Sequence, residues 1–541
     1  MNVAQAVGRA LVEAGIDHVF GVVGSGNLEY TNAMVDAGAR FVAARHESAG
    51  TTMADAFART TGRPAAVTLH QGCGLTNAMT GITEAAKSRT ALVVVVAETD
   101  QPDSNFYVDQ PALAEAVGAV PMRITHAAAA AATARSAVEF AVRERRTVVL
   151  NVPLHLQAME AGTEIVDPAM TTTGAKLEGD LDRFVMAIKS ARRPVFIAGR
   201  GARGAGAELA ALADRCGALL ATSAVAKGMF TGNDWSLGVS GGFSSPLVAE
   251  LIQGADLIVG WGCSLNMWTM RQGTLIGPDA VVVQVEIDSD RVGKYRTVDH
   301  FVADDARQAA VRTTEALGDW TSEGYRTSRV RAHLADRGRW RDTAYDDLST
   351  DEFIDPRILT TRLDDLLPAE RIVSVDSGNF MGYPSAFLDV PDEQGFCFTQ
   401  AFQSIGLGLA TAIGAALARP DRLPIATLGD GGALMAASEF ETVVRLSLPM
   451  VVVIYNDSAY GAEVHHFGPH GHDLSTVQFP ETDFAQIAIG YGFDGITVRR
   501  SADLDAVGDW LAGDRARPLL IDAKVVRDQP SWWLEEAFKG H

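Results

Sequence analysis

The sequence is short of cysteine, of positive charge and of long apolar runs. Its four cysteines, Cys73, Cys216, Cys263 and Cys397, are far apart and none forms a CxxC pair. That speaks against a disulfide framework and against a zinc site. Lysine and arginine number 46 against 67 aspartates and glutamates, a net charge of −21. Neutralising nucleic-acid phosphates needs clustered Lys and Arg, so nucleic acid is not an expected partner, nor is an anionic membrane surface. The acidity reads as solubility. Apolar runs such as Ala91–Ala97 are far too short to span a bilayer. The start, MNVAQAVGRALVEAG, reads as an amphipathic helix without the basic start and apolar run of a signal peptide. A cytoplasmic protein is expected.

What is present is a chain of 541 residues, 47% hydrophobic, with 52 glycines. At about 100–200 residues per domain that length predicts about three domains. Short apolar runs alternate with helical patterns throughout. In the first unit, residues 1–160, the strands expected are His18–Gly21, Ala65–His70, Ala91–Ala97 and Thr147–Val152. A polar stretch, Gln157–Gly179, reads as a linker. The second unit, 180–318, repeats the theme with Pro194–Arg200, Ala218–Ala224, Asp256–Gly262 and Ala280–Glu286. A charged segment, Gly318–Asp355, is expected to wrap outside. The third unit, 355–530, carries Arg371–Val375, Leu423–Gly429, Met450–Tyr455 and Pro518–Ala523. Runs apolar on both faces belong in buried parallel sheets. The fold class predicted is therefore α/β, with three doubly wound parallel-sheet domains. Residues 531–541, with Pro530-Ser531-Trp532-Trp533-Leu534-Glu535-Glu536 at their start, form either a lid over a pocket or a tail docked on a neighbour.

Ligands in such sheets sit at the carboxyl ends of strands. Between Thr427 and Gly461 one strand ends in Gly429-Asp430-Gly431-Gly432, a helix follows, and a second strand ends in Asn456-Asp457. Both carboxylates thus fall on one rim. Glycines there let the backbone approach a phosphate, and a helix N-terminus offers it free N–H groups. An aspartate beside a phosphate typically holds Mg²⁺ through oxygen. GDG alone is a common turn; strand–GDG–helix–strand–ND is far rarer.

These residues resemble the signature of the thiamine-diphosphate enzymes of the acetolactate synthase, pyruvate oxidase and benzoylformate decarboxylase group. The resemblance implies metal ligation by Asp430, Asp457 and the carbonyl of Ala459. Tyr460, Gly461 and Ala462 would then lie against the cofactor. The family closes its motif in Asn-Asn, so Asp457 is a departure that adds a negative charge. Further matches follow. Arg45-His46-Glu47 with a helix ending Ala58-Arg59-Thr60-Thr61-Gly62 matches the family's R-H-E and A-R-x-T-G. It implies that Glu47 hydrogen-bonds the pyrimidine ring of the cofactor and so activates it. The loop His70-Gln71-Gly72-Cys73-Gly74-Leu75-Thr76-Asn77 is similar to T-x-G-P-G-x-x-N with proline replaced by Cys73. It puts His70 where benzoylformate decarboxylases carry a histidine, although a lone strand-end histidine is as often structural. Gly24 and Ser25 match a pocket turn, and Gln110 matches a pocket glutamine. In Phe402-Gln403-Ser404-Ile405-Gly406 the resemblance makes Ile405 the wedge between the two cofactor rings and gives the Gln403 carbonyl the 4′-amino proton. Ser377, Gly378 and Asn379 would cradle the diphosphate, and Glu463 would handle protons at the reacting carbon.

Gly199-Arg200-Gly201-Ala202-Arg203-Gly204 is a GxGxxG after a strand, but no acid closes the next strand, Ala218–Ala224, to hold a ribose. Some relatives bind FAD there and others bind nothing. The arginine that acetolactate synthases use for a second pyruvate is missing from Cys263-Ser264-Leu265-Asn266-Met267-Trp268. The expectation is a Mg²⁺-dependent, non-oxidative 2-oxo acid decarboxylase or carboligase, a lyase or transferase. Its substrate would be a 2-oxo acid or hydroxy ketone, with an aldehyde as acceptor. The alternatives are an FAD-containing oxidase or synthase and a catalytically silent regulatory paralogue. Since the family joins Glu47 and Asp430 across subunits, a homodimer or homotetramer is expected.

Overall fold

The structure is a computed structural model that describes residues 1–162 and 180–537. The expected linker therefore lies for the most part outside the described residues. Three sheets of six parallel strands each form the frame. The first contains β1 (His18–Gly21), β2 (Arg40–Ala43), β3 (Ala65–Leu69), β4 (Leu92–Glu98), β5 (Val120–Arg123) and β6 (Thr147–Pro153), in the order β2-β1-β3-β4-β6-β5. The second contains β7 (Pro194–Ala198), β8 (Leu219–Thr222), β9 (Ser236–Val239), β10 (Leu257–Trp261), β11 (Val281–Val285) and β12 (His300–Val302), in the order β12-β11-β10-β7-β8-β9. The third contains β13 (Arg371–Val375), β14 (Phe396–Phe398), β15 (Leu423–Gly429), β16 (Val451–Asn456), β17 (Asp494–Val498) and β18 (Leu519–Lys524), in the order β14-β13-β15-β16-β18-β17. The first and third sheets thus share one topology, and the second has the mononucleotide-binding order with its reversal between β7 and β10.

Strands inside each sheet are covered on both faces: every residue of β4, β7, β10, β13 and β16 is buried. Helices on the faces supply the cover. The helix Glu47–Thr61 stops at Gly62, which takes φ 72° as a left-handed cap, a conformation that suits glycine. It lies against the helix Gly408–Ala418 of the third unit. A Cβ at Gly414 would run into the backbone of Met53, so at that point the two helices meet main chain to main chain. Met53, Phe57, Leu409 and Ile413 belong to one buried cluster with Val67 of β3 and Leu428 of β15. At about 1.5–3 kcal/mol for each large apolar side chain buried, that cluster fixes the first and third sheets relative to each other.

The middle unit is tied on by polar contacts. Arg203 donates to the carbonyls of Arg59 and Glu393 (2.9 and 3.0 Å), and Lys227 donates to those of Ser385 and Leu388 (2.6 and 2.5 Å). The glycines of GxGxxG serve this unit's own packing, because a Cβ at Gly199 or Gly201 would meet the backbone of Gly262 at the end of β10. The segment after Gly318 runs over the outside and brings Trp340 onto Trp532, ring centroids 4.3 Å apart. The tail docks on its own chain: the Trp532 indole donates to the Gly242 carbonyl and the Trp533 indole to the Asn379 carbonyl (both 3.1 Å). Among the described residues no helix is long and apolar enough to cross a membrane.

Candidate active site

The strand β15 ends at Gly429, and Asp430 opens the short helix Asp430–Met435. Asp430 Oδ1 accepts from the Gly431 N–H (2.8 Å), and Oδ2 accepts from the Ala459 N–H (3.1 Å). Next door β16 ends at Asn456, and Asp457 follows, buried like Asp430. No lysine or arginine among the described residues pairs with either carboxylate, and none lines their cavity. Burial pushes the Asp430 carboxyl up to about 6. Burial, and then the charge of Asp430, pushes Asp457 up to about 8. Two carboxylates held this close without a cation repel each other, and a hard divalent ion taking oxygen ligands is what relieves such a pair.

Glycines around the pair keep the cleft open. A Cβ at Gly461 would strike the Asp457 carboxylate, one at Gly432 the Asp376 carboxylate, and one at Gly431 the Tyr460 ring. The cleft is about 190 Å³. The structure brings into it Ser377, Gly378, Asn379, Ile405, Gly429, Asp430, Gly431, Gly432, Asp457, Ala459, Tyr460, Gly461, Ala462 and Glu463. Gln403 stands just outside, lining the neighbouring cavity.

Two acids that the sequence reading passed over organise the cleft. Asp376 is fully buried at the end of β13. Its carboxylate accepts from the N–H groups of Ser377 (2.9 Å), Gly406 (2.9 Å) and Leu407 (3.2 Å). It therefore joins the Ser377 turn to the turn that carries Ile405. Burial raises its carboxyl to about 6 against those N–H bonds. Its signal was available: an acid at the carboxyl end of an expected strand, as in GDG. Glu84 accepts from the Ala401 and Phe402 N–H groups (3.1 and 2.7 Å), just before Gln403, and from Arg59 (2.8 Å), which also pairs with buried Asp55. The A-R-T-T-G arginine is thus the hub of a buried ion network that braces the Ile405 turn. Nothing in the local pattern around Glu84 reveals this, because its partner lies 317 residues away in the chain.

The remaining expected residues gather on the rim of the first sheet. Glu47 opens its helix, with the His46 ring accepting from the Ser48 N–H (3.1 Å) as the cap. Asn77 donates to Glu47 Oε2 (3.1 Å). His70 lies against Ser25 (3.4 Å) and the Phe106 ring (centroids 5.2 Å), and a Cβ at Gly24 would meet its imidazole. Gln110 behaves differently from the expected pocket residue. It is buried, its Oε1 accepts from the Gly72 N–H (3.0 Å), and its Nε2 donates to Ala97 O (3.1 Å) and Asn151 Oδ1 (2.8 Å). With both ends of the carboxamide occupied, it shapes the Gly72 loop. None of Glu47, His70, Asn77 or Gln110 lines the cleft that holds Asp430. Arg45 and His46 are nonetheless fastened to the third unit, where Glu439 accepts both their N–H groups (2.8 and 3.0 Å).

The chain matches three family models in order: thiamine pyrophosphate enzyme, N-terminal TPP binding domain, over residues 1–116; central domain over 181–313; and C-terminal TPP binding domain over 376–523. It is 26% identical to a sulfoacetaldehyde acetyltransferase of Alcaligenes xylosoxydans xylosoxydans, over 93% of this chain and 89% of that one. It is 27% identical to a probable 2-ketoarginine decarboxylase of Pseudomonas aeruginosa, over 93% and 90%. A thiamine diphosphate-dependent 4-hydroxybenzoylformate decarboxylase of Rhodococcus jostii shares the fold, with TM-score 0.80 at 24% identity, over 98% of this chain and 100% of that one.

Proposed function

Because the chain belongs to the thiamine pyrophosphate enzyme family, we propose that it is a Mg²⁺-dependent, non-oxidative decarboxylase or carboligase acting on 2-oxo acids, with an aldehyde or ketone as acceptor. The observation that carries this is the buried Asp430 and Asp457 pair at the ends of adjacent strands, without a cationic side chain. Asp430, Asp457 and the Ala459 carbonyl would hold the metal, and Ser377, Gly378 and Asn379 the diphosphate. When bound, the cofactor supplies an electron sink for negative charge developing beside a carbonyl.

The chain's own residues do the rest. Ile405, set by Asp376 and Glu84, would pack against the cofactor rings. Glu47, oriented by Asn77, would hold the pyrimidine ring through its carboxylate. Glu463 and His70 move protons to and from the substrate, and Gln110 keeps the loop beside His70 in place. Since Glu47 lies outside the Asp430 cleft of its own chain, the proposal includes a homodimer or homotetramer that brings the two together. A cytoplasmic location and the division at about 160/180 and 318/355 are parts of the same reading. The relatives named as an acetyltransferase and a decarboxylase support both arms of the chemistry.

The test is a panel of 2-oxo acids with and without aldehyde acceptors, following CO₂ and ligated products in the presence of cofactor and Mg²⁺. CO₂ release or ligation that requires both additions is the expected result. A yellow protein that consumes O₂ would replace this reading with the flavin oxidase.

A further inference from the structure

Beside the cofactor cleft lies a second cavity of about 460 Å³ between the middle and third units. The two share their dividing wall. The Asn379–Met381 turn gives Asn379 and Phe380 to the cleft and Met381 to the cavity, while the 400–405 segment gives Ile405 to one and Gln400 and Gln403 to the other.

The charge of this cavity opposes that of the chain. Lys87, Arg200, Arg291 and Lys294 line it and no aspartate or glutamate does, although acids outnumber bases 67 to 46 overall. The cations are not spent on ion pairs. Arg200 donates to the Ser88 carbonyl and pairs with no carboxylate among the described residues. Lys87 and Lys294 lie over the rings of Phe402 and Tyr295. Arg291 has Asp288 only at 3.9 Å, and Arg89 already holds that carboxylate.

Polar atoms in the wall are also without partners. Ser223 Oγ and both Nε2 and Oε1 of Gln400 are buried and make no hydrogen bond. Native structures leave few such groups, and each calls for a partner, an ordered water or a ligand. Gln403, which lines the same cavity, holds φ 63°, a left-handed conformation uncommon outside glycine. A dinucleotide is a poor match for this donor set: β8 closes in Thr222-Ser223, without the acid that holds a ribose.

We propose that this cavity receives the far end of the substrate and that this end is an organic anion, a carboxylate, sulfonate or phosphate ester, drawn by Lys87, Arg200 and Lys294 and hydrogen-bonded by Gln400 and Ser223. The proposal rests on the catalytic reading above, because it places the reacting carbonyl in the adjoining cleft.

Trp268 and Trp533 line the cavity, so tryptophan fluorescence reports its occupancy without turnover. The full-length protein with thiamine diphosphate and Mg²⁺ is titrated with glutarate, 4-sulfobutanoate and 4-phosphonobutanoate, and with hexanoate as the singly charged match. At least one dianion is expected to bind about tenfold more tightly than hexanoate, and the tightest head group identifies the class. Lys87→Gln and Lys294→Gln alter exposed residues and leave the fold intact. Each is expected to weaken that dianion about threefold or more while leaving hexanoate unchanged. Among substrates that turn over, the same variants raise KM for anion-ended ones with kcat unchanged. Equal affinity for hexanoate, indifference to both substitutions, or tighter binding of ADP or FAD than of any dianion overturns the proposal. Dianion binding by a protein that retains no cofactor overturns the catalytic reading alone. Cofactor retention without dianion selectivity overturns the anion site alone.

Discussion

Asp457 stands where the family's signature ends in asparagine, and its consequence is electrostatic. Burial raises the Asp430 carboxyl to about 6, and burial with the charge of Asp430 raises that of Asp457 to about 8, above the ordinary value near 3.9 of an unfolded chain. Without metal, the folded state therefore binds protons that the unfolded state has released. Stability from this pair is lost as pH rises from about 4 through about 8. Mg²⁺ competes for the same oxygens, so the rise in Tm that it produces should be larger at pH 8 than at pH 6. A metal-induced shift that is flat or shrinks over that interval contradicts the assignment. Replacing the charge has a matching effect. Asp457→Asn should stabilise the metal-free protein, raising its Tm, and should flatten its pH dependence. Thermal denaturation in chelator reads both. At this scale the placement of Asp430 and Asp457 at strand ends and of Glu47 at a helix start was legible in the sequence. It hid Glu84, whose function depends on a partner remote in the chain, and it did not show that the Gln110 carboxamide is taken up by the Gly72 N–H, the Ala97 carbonyl and Asn151, partners that only the folded loop assembles.

At the scale of elements, the turn carrying Ile405 is held from two sides, by Asp376 within its own unit and by Glu84 from the first. Glu84→Gln leaves Arg59 and the Ala401–Phe402 N–H groups with a weakened, neutral acceptor inside a buried network. Breaking such a network costs about 3–5 kcal/mol. A lower Tm is expected together with weaker cofactor binding, whereas Tm loss with unchanged cofactor affinity would show that the brace serves stability only. Strand legibility follows from the same burial logic. The strands read from sequence, such as β4 and β15, lie inside their sheets and are apolar on both faces. The strands that went unread, β2, β5, β9, β12, β14 and β17, are the two edges of each sheet. Edges are short and half-exposed, as in β5 and β17, so their patterns do not stand out from loops.

At the scale of the molecule, three α/β units in succession were plain from alternating strands and helices. The identical strand order of the first and third sheets was not, because order is set by which faces dock and not by periodicity within a strand. Within one chain Glu47 does not line the cleft that holds Asp430. Glu47→Gln should bind cofactor normally and lose activity by at least about 100-fold, the scale of a proton-transfer group. Asp430→Ala should lose cofactor. Refolding the two variants together should restore activity that neither has alone, and failure to restore any would contradict a site shared between subunits. The central claim, however, is that this chain holds thiamine diphosphate through a metal at Asp430 and Asp457. Calorimetric titration of the cofactor into metal-free protein, with and without Mg²⁺, tests it most directly. Saturable binding of one molecule per chain that needs Mg²⁺ and disappears in Asp430→Ala is the predicted result. No binding at saturating metal, or binding untouched by that substitution, would contradict it.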